Sequence, residues 1–196
     1  MTTAGPACRI LLISGSLREG STNTALLRTA HALAPGPFAT VLYEGVAGLP
    51  HFNPDDDHDP LPVAVVALRS QIGEADALLF STPEYAGALP GSFKNLLDWA
   101  IGDDHPRSIY NKPAAWINVS TTTGAVHAHE SLRLVLGYAH AGLVEAACVD
   151  IPVFRSMIGT DGLIGDPPTR TRLAHALLTL AEFACPAGSG ASPTGP

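Results

Sequence analysis

Five short apolar runs alternate with segments of helical period along this chain, and that alternation limits the fold more than any other feature. The runs are "RILLIS" (9–14), "ATVLY" (39–43), "ADALLFS" (75–81), "AAWINVS" (114–120) and "AACVDI" (146–151). Most are continuously apolar rather than alternating, the pattern of strands covered on both faces. Between them, Leu132, Val135, Leu136 and Ala139 stand at i, i+3, i+4 and i+7. Leu173, Leu177, Leu180 and Ala184 make a second stripe, and Val65, Leu68 and Ile72 a shorter one; all three read as core-facing. Repeated strand–helix alternation predicts an α/β domain with a doubly wound five-stranded parallel sheet, order 2-1-3-4-5, and helices on both faces. Ligands of such sheets sit beyond the carboxyl ends of the strands, where the order reverses between strands 1 and 3. The loops after Ser14, Ser81 and Ser120 therefore converge on one crevice.

The length of 196 residues suits a single domain, expected over 8–185. The remainder, "PAGSGASPTGP" (186–196), is Pro/Gly/Ser-rich and uncharged and reads as a disordered tail without a site. A net charge of −7 with only 11 Lys and Arg argues against a nucleic-acid partner. No run approaches the ~20 apolar residues of a membrane span, and the start "MTTAGPACRILLISGS" lacks a charged n-region, so the expected location is the cytoplasm. Cys8, Cys148 and Cys185 are far apart in sequence and odd in number, which reads as three structural thiols in a reducing compartment.

The stretch "GSLREGSTN" (15–23) carries the chemistry. A strand ending at Ser14 and a helix starting near Asn23 make an anion site, because helix N-termini present unpaired N–H groups and the positive end of the dipole. Gly15 and Gly20 permit a tight backbone. Ser16, Ser21, Thr22 and Asn23 add short donors, and Arg18 adds a cation. A single cap residue would satisfy an ordinary helix start; four donors and an arginine exceed that need. The spacing Gly15, four residues, Gly20 copies the frame of a nucleoside-triphosphate loop, but Ser21 stands where its lysine belongs, so a triphosphate loses its main counter-charge. A terminal monophosphate needs only one cradle and one planar fork such as Arg18. A G-x-G-x-x-G dinucleotide fingerprint is absent from the first loop.

The second loop, "STPEYAGALPGSFKNLLDWA" (81–100), is stiffened by Pro83, Gly87, Pro90 and Gly91 and carries Tyr85, a shape suited to gripping a planar heterocycle. Together, "GSLREGSTNTALL" and "TPEYAGALPGSFKNLLDW" resemble the NAD(P)H-dependent FMN reductase family, including its quinone- and chromate-reducing members, over roughly residues 8–155. The resemblance implies a flavodoxin-like fold, with the FMN phosphate held by Ser16, Arg18, Ser21, Thr22 and Asn23 and the isoalloxazine by Pro83, Glu84, Tyr85, Ala86 and Gly87. The third loop, "STTTGA" (120–125), has hydroxyls where the family often has glycines, and Ser120, Thr121, Thr122 and Gly124 are placed at the flavin edge. Many members carry Asn after P-E-Y, where this chain has Ala86.

The implied activity is hydride transfer from NADPH or NADH to FMN and onward to a small acceptor in a ping-pong cycle. No side-chain acid or base is needed, so no catalytic residue is named. The implied assembly is a homodimer or homotetramer. The alternatives are a flavodoxin-type electron carrier, which binds FMN without oxidising nicotinamide, and a P-loop-like nucleotide switch. Arg107, in the 102–107 stretch, is the candidate cation for recognition of a 2′-phosphate.

Metal chemistry finds little support. "DDDHD" (55–59) has EF-hand spacing at Asp55, Asp57 and Asp59 but places Pro60 and Val66 where Gly and Glu belong, and reads as a solvated acidic loop. His127 and His129 are two apart and read as solvent-facing imidazoles rather than a chelate. Asp98 and Trp99 read as packing residues.

Overall fold

All five residues of the strand Ala77–Ser81 are buried, as a strand at the middle of a two-sided sheet requires. A computed structural model describes residues 8–34, 38–122 and 124–186, and this strand is its β3. The elements before it are β1 (Arg9–Ser14), α1 (Thr22–Leu33), β2 (Ala39–Tyr43) and α2 (Val63–Glu74). After it come α3 (Gly91–Ile101), β4 (Pro113–Asn118), α4 (Val126–Tyr138), β5 (Gly142–Leu143), β6 (Val149–Asp150) and α5 (Pro167–Ala184). Every pairing is parallel and the order is β2-β1-β3-β4-β5, with β6 also paired to β4. The predicted doubly wound, flavodoxin-like sheet is the one observed. The tail 187–196 lies outside the described residues.

Strand pleating explains the continuous apolar runs. Leu11 and Ile13 of β1 pack with Leu78 and Phe80 beneath α2, α3 and α4, while Ile10 and Leu12 pack with Leu79 and Ile117 beneath α1 and α5. The helical stripes face these two cores: Val65, Leu68 and Ile72, Leu132 and Leu136, and Leu173, Leu177 and Leu180 are all buried. Trp99 is fully buried, donates its indole N–H to the Pro50 carbonyl at 2.9 Å and meets Phe52 edge-on. The neighbouring Asp98 pairs with Lys94 one turn earlier on α3.

Four local readings differ from what the sequence suggested. The fifth run does not form one strand: β5 and β6 flank a 3₁₀ turn at Glu145–Ala147, and both lie along β4. The Glu-Ala-Ala triplet favours helical over extended backbone, while Val144 and Ile151 still donate to the Ala114 and Asn118 carbonyls on either side of it. Asp57 is not solvated; it pairs with Arg69 at 2.7 Å, and Arg69 also donates to the Trp99 carbonyl. Cys8, just before β1, and Cys185, just after α5, form a disulfide with Cα atoms 5.9 Å apart. This corrects the reading of three free thiols. The ends of β1 and α5 meet only through the fold, so sequence spacing carries no trace of the pair. Cys148 stays free and half-buried, and burial pushes its thiol up to about 11.

His129 is also corrected: it is buried beside Trp116, with Nδ1 2.8 Å from the Ala125 carbonyl oxygen and Nε2 unpartnered, whereas His127 is exposed. Burial lowers its pKa from 6.5, outweighing the Ala125 carbonyl and the more distant Asp150 and Glu84 carboxylates, which raise it. A folded-state pKa below the unfolded one favours the neutral ring, so its contribution is present above about pH 6.5 and is lost as pH falls towards the folded value. Urea midpoints at pH 7.5 and 5.5 are expected to show wild type losing stability on acidification, and His129→Asn losing less. Equal slopes for the two proteins would refute this.

No described helix is long and apolar enough to cross a membrane.

Candidate functional site

The close approach of the first two loops begins at Gly15. Its N–H donates to the Ser81 carbonyl at 2.8 Å, and a Cβ placed on it would lie 2.7 Å from the Thr82 Cβ and 3.0 Å from Phe93. The glycine here serves contact between loops rather than a special φ. Ser81 completes the join: its hydroxyl lies 2.9 Å from both the Asn23 Oδ1 and the Ile117 carbonyl oxygen, linking the ends of β3, β4 and the start of α1.

Helix α1 begins without a cap. Ser21 occupies the N-cap position, yet no side chain accepts from the first turn. The amides of Thr22, Asn23 and Thr24 consequently have no partner among the described residues. A partly buried helix start with three free amides and the positive end of the dipole is suited to an anion. Ser16 and Ser21 are buried at the cradle, and the exposed Arg18 forms no ion pair among the described residues. Simple N-capping by Ser21, Thr22 or Asn23 is thus not what the structure contains. Asn23 has a tethering part besides: its Oδ1 is engaged by Ser81.

Tyr85 and Ala88 exchange backbone hydrogen bonds at 3.1 Å in both directions, with Ala86 at φ +50° and Gly87 at φ +71° between them. Two central residues with positive φ make a type I′ turn. The Ala86 and Gly87 amides stay unpaired among the described residues and mark the turn tip as a donor edge. Alanine is poorly suited to this backbone, and asparagine tolerates it. Ala86→Asn is expected to stabilise the fold by about 0.5–1 kcal/mol, a rise in Tm of roughly 1–4 °C by calorimetry. An unchanged or lower Tm would count against the turn assignment.

The Glu84 carboxylate does not face the ligand space alone. Its Oε2 accepts from the His127 and Ala128 amides at 3.0 and 3.2 Å and so caps α4 from the second loop. The third loop is organised by Asn118 at the end of β4. Asn118 donates to the Gly124 carbonyl at 2.7 Å and to Asp150 at 2.8 Å, and its Oδ1 accepts from the Ser120 amide. The Ser120 hydroxyl in turn accepts from the Gly124 amide. Gly124 and Ala125 both have positive φ, which turns the chain sharply into α4.

These loops enclose a cavity of about 390 Å³. Ser16, Arg18, Ser21, Thr22, Asn23, Pro83, Glu84, Tyr85, Ser120, Thr121 and Thr122 line it, whereas Gly15, Ala86, Gly87 and Gly124 belong to the same loops but not to its lining. The sequence reading missed Thr82, Asn118 and the Val153–Arg155 segment on the far wall. Phe154 and Arg155 follow the last strand at its carboxyl end, the position that draws ligands in such sheets, and that was a usable signal. Arg107 is elsewhere: it precedes β4 and lines a separate cavity with Asp57 and Gly102, beside α2 and the end of α3.

The cradle fits the phosphate of FMN. It offers unpaired amides and one guanidinium for a single terminal phosphate, with a rigid turn carrying free amides and an exposed tyrosine across the same cavity. Comparison with known proteins agrees. The family model of NADPH-dependent FMN reductases matches residues 8–154. The chain is 32% identical over 188 residues to a probable NADPH:quinone oxidoreductase of Oryza sativa, covering 93% of this chain and 92% of that protein. It is 35% identical over 174 residues to an NAD(P)H-dependent FMN reductase of Pseudomonas aeruginosa, covering 88% and 92%. Among solved structures it is similar to the flavoenzyme NAD(P)H:(acceptor) oxidoreductase FerB from Paracoccus denitrificans, with a TM-score of 0.78, 30% identity, and coverage of 90% and 97%.

Proposed function

The chain belongs to the NADPH-dependent FMN reductase family, and from that premise we propose how its residues divide the work. It is an FMN-dependent oxidoreductase that takes electrons from NAD(P)H and passes them to quinones or flavins. Bound FMN supplies the two-electron chemistry, accepting hydride from the nicotinamide and releasing electrons to the acceptor. The protein binds, orients and shields.

In this reading the amides of residues 22–24, with Ser16, Ser21 and Arg18, hold the phosphate. The amides of Ala86 and Gly87 donate to the polar edge of the isoalloxazine, and Tyr85 with Pro83 keeps the ring plane fixed. Ser120, Thr121 and Thr122 close the edge opposite. Glu84 and Asn118 act behind these contacts as positioning residues, fixing the second loop to α4 and the third loop to the end of β4. Donor and acceptor share one cavity, so they use it in turn, which is a ping-pong cycle. The exposed apolar residues Leu134 and Tyr138 on α4, with Val126 beside Glu84, support association with a second copy as a homodimer or homotetramer. Use of NAD(P)H as the electron donor favours the cytoplasm.

The observation that carries this reading is the uncapped start of α1 beside unpaired Arg18, in the same cavity as the type I′ turn. An absorbance spectrum of the purified protein, repeated with NADPH in the absence of oxygen, tests it. Flavin bands that bleach rapidly are expected. Bands that persist would indicate an electron carrier, and no bands after incubation with excess FMN would overturn the phosphate assignment.

A further inference from the structure

A second cavity, of about 580 Å³, lies on the other side of the 15–21 loop, between α1, the carboxyl end of β2 and the segment 155–162. Its volume suits a small organic ligand. Arg18 and Arg155 line both this cavity and the one described above, so the two adjoin across these guanidiniums. Arg28, one and a half turns into α1, lines only the second. None of the three arginines has an ion pair or side-chain hydrogen bond among the described residues. A chain of net charge −7 thus sets three of its 11 cations around one hollow, none in an ion pair among the described residues, against the two carboxylates Glu19 and Glu44.

The remaining walls are not those of a simple anion trap. Leu42, Val46 and Ile158 provide apolar surface. Tyr43 is buried, and its hydroxyl takes no partner among the described residues. Glu44 directly follows β2, where a carboxylate can accept from a ribose 3′-hydroxyl, and Glu19 is the cavity's second carboxylate. The walls are also preformed. The Thr29 hydroxyl accepts from the buried Ile164 amide at 2.9 Å, and Ile158 and Ile164 bridge across a tight hairpin, tying the 158–164 segment to α1. A ligand matching these walls has an apolar base, a sugar with a free hydroxyl, and more than one phosphate.

We propose that this cavity is the subsite for the adenosine 2′-phosphate half of NADPH, an inference that rests on the oxidoreductase reading above. The base lies against the apolar wall, Glu44 accepts from the free ribose hydroxyl, and Arg28 pairs with the 2′-phosphate. The pyrophosphate passes Arg18 and Arg155 on its way to the nicotinamide in the first cavity. Arg28, and not Arg107, is then the residue that separates NADPH from NADH.

The test uses adenosine 2′,5′-bisphosphate and adenosine 5′-monophosphate as probes, titrated calorimetrically into FMN-saturated protein. The bisphosphate is expected to bind wild type roughly 10- to 100-fold more tightly than either the monophosphate to wild type or the bisphosphate to Arg28→Ala, the range for one charge-assisted hydrogen-bonded pair. The ratio of kcat/KM for NADPH over NADH is expected to fall by at least about tenfold in the same variant. Arg28 is exposed and unpartnered, so a melting curve confirms that the variant folds. Equal affinities for the two probes, no loss in Arg28→Ala, or displacement of FMN by the bisphosphate would each overturn the proposal. A separate FMN titration, read by flavin fluorescence, keeps the two readings apart. Failure to bind FMN sinks the oxidoreductase assignment, whereas titration of the bisphosphate into flavin-free protein still reads the second cavity.

Discussion

Gly15→Val is expected to abolish measurable FMN binding and to lower the Tm by several degrees. The position has no room: even a bare Cβ would sit 2.7 Å from the Thr82 Cβ and 3.0 Å from Phe93, which is itself fully buried beneath β3. Thr82 leads directly into Pro83, so the second loop has little freedom to retreat. Overpacking of this kind costs about 1–3 kcal/mol, and each kcal/mol moves the Tm of a domain this size by about 2–4 °C. The larger effect falls on the ligand. Separating the 15–21 and 82–88 loops by a side chain's width pulls the phosphate cradle away from the turn that faces the ring, so that one FMN no longer reaches both. Flavin fluorescence and a thermal melt on the same sample read the two consequences together. A variant that melts lower but binds FMN as wild type does would show that the approach of the loops is only a packing feature.

That close approach illustrates what the sequence conceals. The strand order, the two cores and the crevice at the carboxyl ends were legible because alternation and continuous apolar runs depend on local composition. The loop proposed to hold the phosphate stood out in the sequence because its donors lie within nine residues of one another. The tethers that hold the loops were not. Asn118 reads as one polar residue closing an apolar run, and only the fold places Gly124, Asp150 and Ser120 around it. Glu84 matched the ring-binding loop by resemblance, yet its carboxylate is spent on the amides of α4, 43 and 44 residues away. The Cys8–Cys185 pair spans 177 residues and is invisible to spacing. Local chemistry was readable; long-range positioning was not.

Arg18→Ala separates these two kinds of contribution. Its side chain is exposed and forms no ion pair among the described residues, so removing it should leave the Tm within the error expected of a surface change. FMN affinity should nevertheless fall by roughly 10- to 100-fold, the equivalent of about 1.5–3 kcal/mol for a charge-assisted hydrogen bond. Riboflavin, which has the same ring and no phosphate, supplies the control: its weaker binding should be the same in wild type and variant. A parallel loss for riboflavin would mean that Arg18 acts on the ring or on loop structure. An unchanged FMN affinity would leave the uncapped amides of α1 to hold the phosphate alone. The Gly15 variant disturbs both loops at once, whereas Arg18→Ala leaves the scaffold intact and removes one charge. Together they distinguish a site made by its cation from one made by the geometry of its backbone.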